Sequence, residues 1–419
     1  MKLCSALCFL PDSSLHIYDI TLEKDRLKLL PPGTLTEGID ASQMLCLPGM
    51  VNAHFHGLST PGKGLEHDYP LTEWFGEIPE TAMQARVYDV IEQDLLEEEM
   101  ETIARFEYMQ LVKQGVTMVF DGGAVNGSLL AQKRALEALG MRGILDADTL
   151  LPDFVGQDSP LVSFAGHLLE EEDLTEESLS TVKSMYDRFP ERIFGSHCLE
   201  TAYRRQLAEK FCGKSSPELF LEKGLLSHRN VLYHCVHATE KDWDIIAKSG
   251  AGVVHNPVSN LHTGTGIMNL AAVLKRKIPC GLGSDWGSTD WWEVIRTAYH
   301  LMKVQPGGEA YRAQDILHLA CRGGSQVLGR SDCGVLYDGA QADLVLISLH
   351  DPALYPDFPG HPALLHNLVT QCGAGAVTHV FIGGKMVVKN GKCQMLEENS
   401  VIKGWQRVME KIQSKVFSE

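Results

Sequence analysis

The strongest constraint on the fold of this chain is a change of texture between about residue 51 and about residue 335. There, short runs rich in β-branched and apolar residues recur between amphipathic helical stretches. VTMVFDGG (116–123) follows EEEMETIARFEYMQLVKQG, and GMRGILDADTL (140–150) follows SLLAQKRALEAL. RIFGSHCLET (192–201), NVLYHCVHAT (230–239), AGVVHNPVSN (251–260) and IPCGLGSDWG (278–287) continue the series. Strand alternating with helix implies parallel β-α units. So many units in one region point to a (β/α)8 barrel, whose reactive groups sit at the C-terminal ends of the strands.

The flanks read differently. LHIYDITLE, the turn PPGT and MLCLPGMV lie before the barrel region; ADLVLISL (342–349) and THVFIGGKMVVKNGK (378–392), with a Gly-Gly hairpin, lie after it. Neither flank alone is large enough for a core. The expected fold is α/β: a distorted TIM (β/α)8 barrel over 51–335, with a small composite β-sandwich domain from both chain ends (1–50 with 336–398). A C-terminal helix is expected over 399–419.

The net charge of −17 argues against nucleic-acid polymers and anionic membranes as partners. The acidic runs DLLEEEMET (94–102) and EEEDLTEES (170–178) read as solvated helix starts. Eleven cysteines, irregularly spaced and without a C-x-x-C, suit a reducing, cytoplasmic setting. MKLCSALCFLPDSS looks superficially like a signal peptide, but its apolar run breaks at Pro11-Asp12, and a first strand is the better reading. No run approaches the roughly 18 apolar residues of a membrane-spanning helix.

VNAHFHG (51–57) places His54 and His56 two residues apart at the end of the first barrel strand, where both rings leave one face. With 17 histidines in the chain, chance alone gives roughly 0.7 such triplets, so the spacing gains meaning only from company. GSHCLET supplies His197 and, three residues on, Glu200; LYHCVH supplies His234 and His237; VVHNPVSN supplies His255 and Asn256; LGSD supplies Asp285. Three histidines and one aspartate from three strand ends can hold one metal and leave a position open for water. His237, three residues from His234, faces away on a regular strand and reads as structural.

These motifs, PGMVNAHFH, LEHDYPLTEWF, SHCLET, LYHCVHATEKD, HNPVSNLHTGTGI and GLGSD, with YDGAQADLVLISL and HVFIGGKMVVKNG after them, cover essentially the whole chain in one order. In them the chain resembles the amidohydrolase superfamily, in its branch of single-metal aminohydrolases, which includes guanine and cytosine deaminases, methylthioadenosine/S-adenosylhomocysteine deaminases and triazine hydrolases. The resemblance implies His54, His56, His197 and Asp285 as ligands of one divalent metal, zinc first and iron as the alternative. It implies Glu200 as proton shuttle and His234 as a hydrogen-bonding partner of the reacting water or ring, with Asp285 also accepting the proton of the water. The implied reaction is hydrolytic release of ammonia from an aminated purine, pterin, pyrimidine, triazine or nucleoside, through hydroxide made at neutral pH. Displacement of another group such as chloride, opening of a cyclic amide, and a non-catalytic scaffold are the alternatives. A homo-oligomer is expected.

Trp286, with Trp291 and Trp292, offers an aromatic wall for a planar ring, at least one of the latter two packing the start of the last barrel helix. Ser288-Thr289-Asp290 offers capping chemistry for that helix. His255 and Asn256 are expected to shape the wall through hydrogen bonds, and His67 to lie in the loop after strand one within reach of substrate. Two-metal relatives use a lysine on strand four; between strands two and five the chain has only Lys133 and Lys183, both in helical surroundings. The pattern departs from the family in two places. The stretch between GILDADTL and RIFGSHCLET is short: either LVSFAGHLL (161–169) is strand four, with His167 at its end near the site, or a strand is missing or irregular. The strand-three arginine of nucleoside-processing relatives has no counterpart in ILDADTL, and Glu80 stands only near the position of a ribose-contacting glutamate.

Overall fold

Eight parallel strands close on themselves in this computed structural model, which describes residues 1–419 except 66–67, 75–77, 80, 123–126, 357, 359–362 and 418–419. In chain order they are Met50–Phe55, Val116–Asp121, Arg142–Asp146, Val162–His167, Phe194–Cys198, Asn230–His234, Gly252–His255 and Cys280–Leu282, here the first to eighth barrel strands. Alternate residues separate the two faces. Val51, Ala53, Met118, Phe120, Ile144, Val231, Tyr233 and Val254 form one buried cluster, as expected of a filled barrel interior. Met50, Val116, Leu145, Phe164, Leu232 and Val253 belong to a second cluster shared with the surrounding helices.

LVSFAGH is strand four. It pairs in parallel with strand three (Gly143 opposite Val162) and with strand five (Phe194 opposite Gly166). The segment 147–161 connects strands three and four with only a 3-10 turn, Asp148–Leu150, and one short helical turn, Leu151–Phe154. That is just enough chain for a parallel crossover, which explains the shortness seen in the sequence.

Both chain ends enter one sheet. Lys2–Phe9, Leu15–Glu23, Arg26–Leu30, Ile39–Asp40 and Met44–Pro48 join Leu344–Ser348, Val377–Ile382, Lys385–Lys389 and Lys392–Cys393 in nine strands. The seam is the antiparallel pair Met44–Pro48 with Leu344–Ser348. The far edge folds back toward the C-terminal half: Leu27 N–H donates to Ala340 O and Ala342 N–H to Asp25 O. Gly383 and Gly384, at φ +55° and +74°, make the expected two-residue hairpin, which needs positive φ at both positions. Arg142, opening barrel strand three, joins sheet to barrel: Nε donates to Asp343 Oδ2 at 2.8 Å and Nη2 to Gln341 Oε1 at 2.6 Å, all buried.

The terminal helix Glu398–Val416 lies against helices Ala82–Asp94 and Glu97–Lys113, with Trp405 stacked on Phe106 and Lys411 paired to Glu99. The run 94–102 is the helix start expected of it, Glu99 accepting from Leu96 N–H. No described helix is long and apolar enough to cross a membrane.

Candidate active site

At the C-terminal mouth of the barrel His54, His56, His197 and Asp285 bring one ligand atom each to within 4.8 Å of one another; among the described residues no other such group occurs. His54 Nε2 lies 2.9 Å and His56 Nε2 3.0 Å from Asp285 Oδ1, and His56 Nε2 lies 3.1 Å from His197 Nε2. Zinc–ligand distances of about 2.0–2.2 Å put neighbouring ligand atoms about 3 Å apart, so the spacing suits one divalent cation. His54 supplies the fit test. It is 0% exposed, and neither ring nitrogen has a hydrogen-bond partner among the described residues. A buried imidazole left unsatisfied is costly; a cation between the four groups would satisfy Nε2, the nitrogen turned toward Asp285. Burial holds His54 well below the usual imidazole range against the pull of Asp285, leaving the neutral ligand form. Burial would raise Asp285, yet His54 and His234 hold it well below the usual carboxylate range.

The backbone aims these groups. The pairing of strands one and two slips between Asn52 and Phe55, a bulge-like irregularity that re-aims the strand end. Tyr233 fills the barrel interior and stacks on His54 with ring centroids 3.7 Å apart. Simple alternation would turn His234 away from Tyr233's side, but His234 sits at φ +66° and Cys235 at φ +48°. Asp285 (φ +60°) and Leu199 (φ +48°), just before Glu200, share this left-handed conformation, worth about 1–3 kcal/mol of strain each and typical of functional sites. His234 Nδ1 bonds Asn260 Oδ1 at 2.7 Å; its Nε2 lies 3.9 Å from Asp285 Oδ2 and has no hydrogen-bond partner among the described residues. Glu200 Oε1 is 3.5 Å from His234 Nδ1.

The profile of the Amidohydrolase family matches residues 45–387. The chain belongs to the amidohydrolase family. Among its curated relatives is a 5-methylthioadenosine/S-adenosylhomocysteine deaminase of Desulfitobacterium hafniense, 27% identical over 383 residues, covering 86% of this chain and 84% of the relative. Among solved structures, an adenosine deaminase from Xanthomonas campestris with bound zinc superposes with TM-score 0.88 at 20% identity, covering 99% of this chain and 98% of that one. An atrazine chlorohydrolase from Arthrobacter aurescens TC1 complexed with zinc gives 0.85 at 17% identity, covering 97% and 99%.

In this amidohydrolase the metal group opens onto a cavity of about 740 Å³ lined by His56, Trp74, Gln84, Glu200, Ser259 and Trp286, among others. Trp286 lines this cavity, its ring centroid 5.9 Å from Trp74 and 6.0 Å from His56. Trp291 and Trp292 are both buried at the start of helix Trp291–Lys303, which Asp290 caps by accepting from Glu293 N–H. His255 and Asn256 are buried outside the cavity lining, and their side chains have no hydrogen-bond partner among the described residues. Asn260, four residues after Asn256, makes the hydrogen bond to His234 instead. Burial pushes His255 down to about 3, so it is neutral. His237 Nε2 donates to Thr265 O from outside the ligand group. Lys133 and Lys183 lie on outer helices, bonded to Gln157 O and Asp187. His67 and Glu80 lie outside the described residues.

The reading of 170–178 as a solvated helix start is corrected for its first three residues. They form the loop after strand four, over the mouth of the barrel. Glu170 Oε1 takes a short hydrogen bond from His197 Nδ1. Glu171, buried, accepts from Leu199 N–H at 2.8 Å and from Ser216 Oγ, and burial pushes its carboxyl up to about 7. Glu172 pairs with Arg204. His167 ends strand four and bonds Asp146 Oδ2 at 2.7 Å, away from the cavity lining. Placing LVSFAGH as strand four is the signal that leads to these residues.

Proposed function

We propose that this protein is a hydrolytic aminohydrolase that releases ammonia from an aminated nitrogen heterocycle or its nucleoside, using one divalent metal, zinc first. The observation that carries the reading is the convergence of His54, His56, His197 and Asp285 on one point beside Glu200 and His234. His54, His56, His197 and Asp285 would hold the ion, which supplies a Lewis acid that makes hydroxide available near neutral pH.

The chain's own groups do the rest. Asp285 Oδ2, the oxygen not turned toward His54 and His56, accepts the proton of the attacking water. The oxygen adds to the ring carbon that bears the amine, and Glu200 delivers a proton to the adjacent ring nitrogen. His234 Nε2 hydrogen-bonds the charge that develops at the new C–O bond. As the C=O forms, the hydroxyl proton returns to Glu200 and Asp285 passes its proton to the amine; the C–N bond then breaks, so water and the aminated ring become the oxo ring and ammonia and both carboxyls regain their starting states. Trp74 and Trp286 give the planar ring a stacking surface. Eleven unpaired cysteines support a cytoplasmic setting for the enzyme.

The test is ammonia release by zinc-loaded protein from adenosine, methylthioadenosine, S-adenosylhomocysteine, guanine, cytosine, an aminopterin and an aminotriazine. Glu200→Gln serves as control. Release that disappears in the control supports the reading and selects the ring. Silence across the panel with metal bound transfers the reading to another leaving group.

A further inference from the structure

Arg204 touches three carboxylates at the cavity. It lies on helix Ala202–Cys212, four residues after Glu200, with a side chain only 13% exposed. Nη2 donates to Glu170 Oε2 at 2.8 Å and Nε to Glu172 Oε1 at 2.9 Å. Nη1 lies 3.4 Å from Glu200 Oε2 and makes no hydrogen bond of its own among the described residues. The other oxygen of Glu170 faces His197 Nδ1, so its carboxylate fixes which nitrogen of His197 turns toward the ligand group. One planar guanidinium therefore spans the carboxylate that orients a metal ligand and the carboxylate assigned to proton transfer.

We propose that Arg204 is a positioning residue: its fork holds Glu170 against His197 and Glu200 against the cavity, coupling metal affinity to the placement of the proton shuttle. The Glu200 half rests on the aminohydrolase reading; the His197 half does not. Lysine cannot replace the fork, because its single ammonium lacks the rigid planar set of donors that meets several carboxylates at once. Burial would lower the guanidinium pKa, but Glu170, Glu200 and Glu172 raise it, so the fork keeps its charge. Substrate binding is a different role for the same side chain, and kinetics separate the two.

The experiment uses the full chain with Arg204→Met, and Arg204→Lys in case the first variant does not fold. Zinc affinity is measured by competition with a chromophoric chelator, and kcat and KM at saturating zinc. The expected result in either variant is a loss of zinc affinity of about 10- to 100-fold. A fall in kcat accompanies it, with KM changed less than about threefold, the pattern of a group whose effect is felt in the transition state. In Arg204→Met, added guanidinium ion restores part of kcat. Wild-type zinc affinity overturns the proposal. Weaker zinc with unchanged kcat removes the coupling and overturns it too. A rise in KM at unchanged kcat makes Arg204 a substrate contact. If the wild type releases ammonia from no ring, the aminohydrolase reading fails by itself, and the zinc competition still decides whether Arg204 supports His197.

Discussion

Beneath the loop that follows His56 lies a buried carboxyl whose charge state predicts a pH dependence of stability. Glu107, 0% exposed on helix Glu97–Lys113, accepts from Leu58 N–H at 2.7 Å through Oε2. Its Oε1 accepts from Thr60 N–H at 2.9 Å and from Thr60 Oγ1 at 2.7 Å. Burial pushes Glu107 up, the hydrogen bonds from Thr60 and Leu58 pull it down, and nearby Asp121 adds to the rise; the outcome is about 7 against an ordinary 4.5. Between those values the folded chain holds a proton that the unfolded chain has lost. This contribution to stability is complete below 4.5 and is lost as pH rises through about 7. Each pKa unit is worth about 1.4 kcal/mol, so the whole effect is about 3 kcal/mol. Glu107→Gln keeps the volume and stays neutral at every pH. Urea unfolding of both proteins at about pH 5 and about pH 8, with the same metal content, should show the wild type losing about 2–3 kcal/mol relative to the variant. Curves that stay parallel within about 1 kcal/mol, or a wild type that gains on the variant as pH rises, would show that Glu107 carries its charge in the folded protein across this range.

Three further outcomes are expected. Arg142→Met leaves Asp343 buried without its cation and should cost about 3–5 kcal/mol, with most of it recovered when Asp343→Leu is added; an unchanged urea midpoint in the single variant would contradict this. Gly195→Ala puts a Cβ 2.0 Å from the hydroxyl of Tyr233, the ring stacked on His54. It should lower stability by about 1–3 kcal/mol and weaken zinc binding, and wild-type melting with wild-type zinc affinity would count against it. Trp286→Ala removes part of the stacking wall and should raise KM about three- to tenfold with little change in kcat; a fall in kcat alone would point to a different role.

Much of this was legible in the chain because barrel strands announce themselves twice, as apolar runs between helical stretches and as polar residues at their ends. His54, His56, His197, His234 and Asp285 obey that rule, and the structure brings them together. What escaped depends on features without a periodic signature. Asn260, rather than Asn256, reaches His234 because the loop opens into the helix Pro257–His262, which changes the period from two to 3.6. Glu170, Glu171 and Glu172 look like solvent-facing charge by composition. Only their position just past His167, at the end of a strand reached through a shortened crossover, turns them toward His197, Leu199 and Arg204. Trp74 and Gln84 reach the cavity from a long loop and a helix outside the strand-end pattern.

On the proposed function, one metal held by His54, His56, His197 and Asp285 supports deamination. Its most direct test is a zinc titration of metal-free protein, with ammonia release followed on the best substrate of the panel. A linear rise that breaks at one zinc per chain, and that is absent in Asp285→Asn, is expected. A break at two zinc ions per chain, or full activity in metal-free protein, would contradict it.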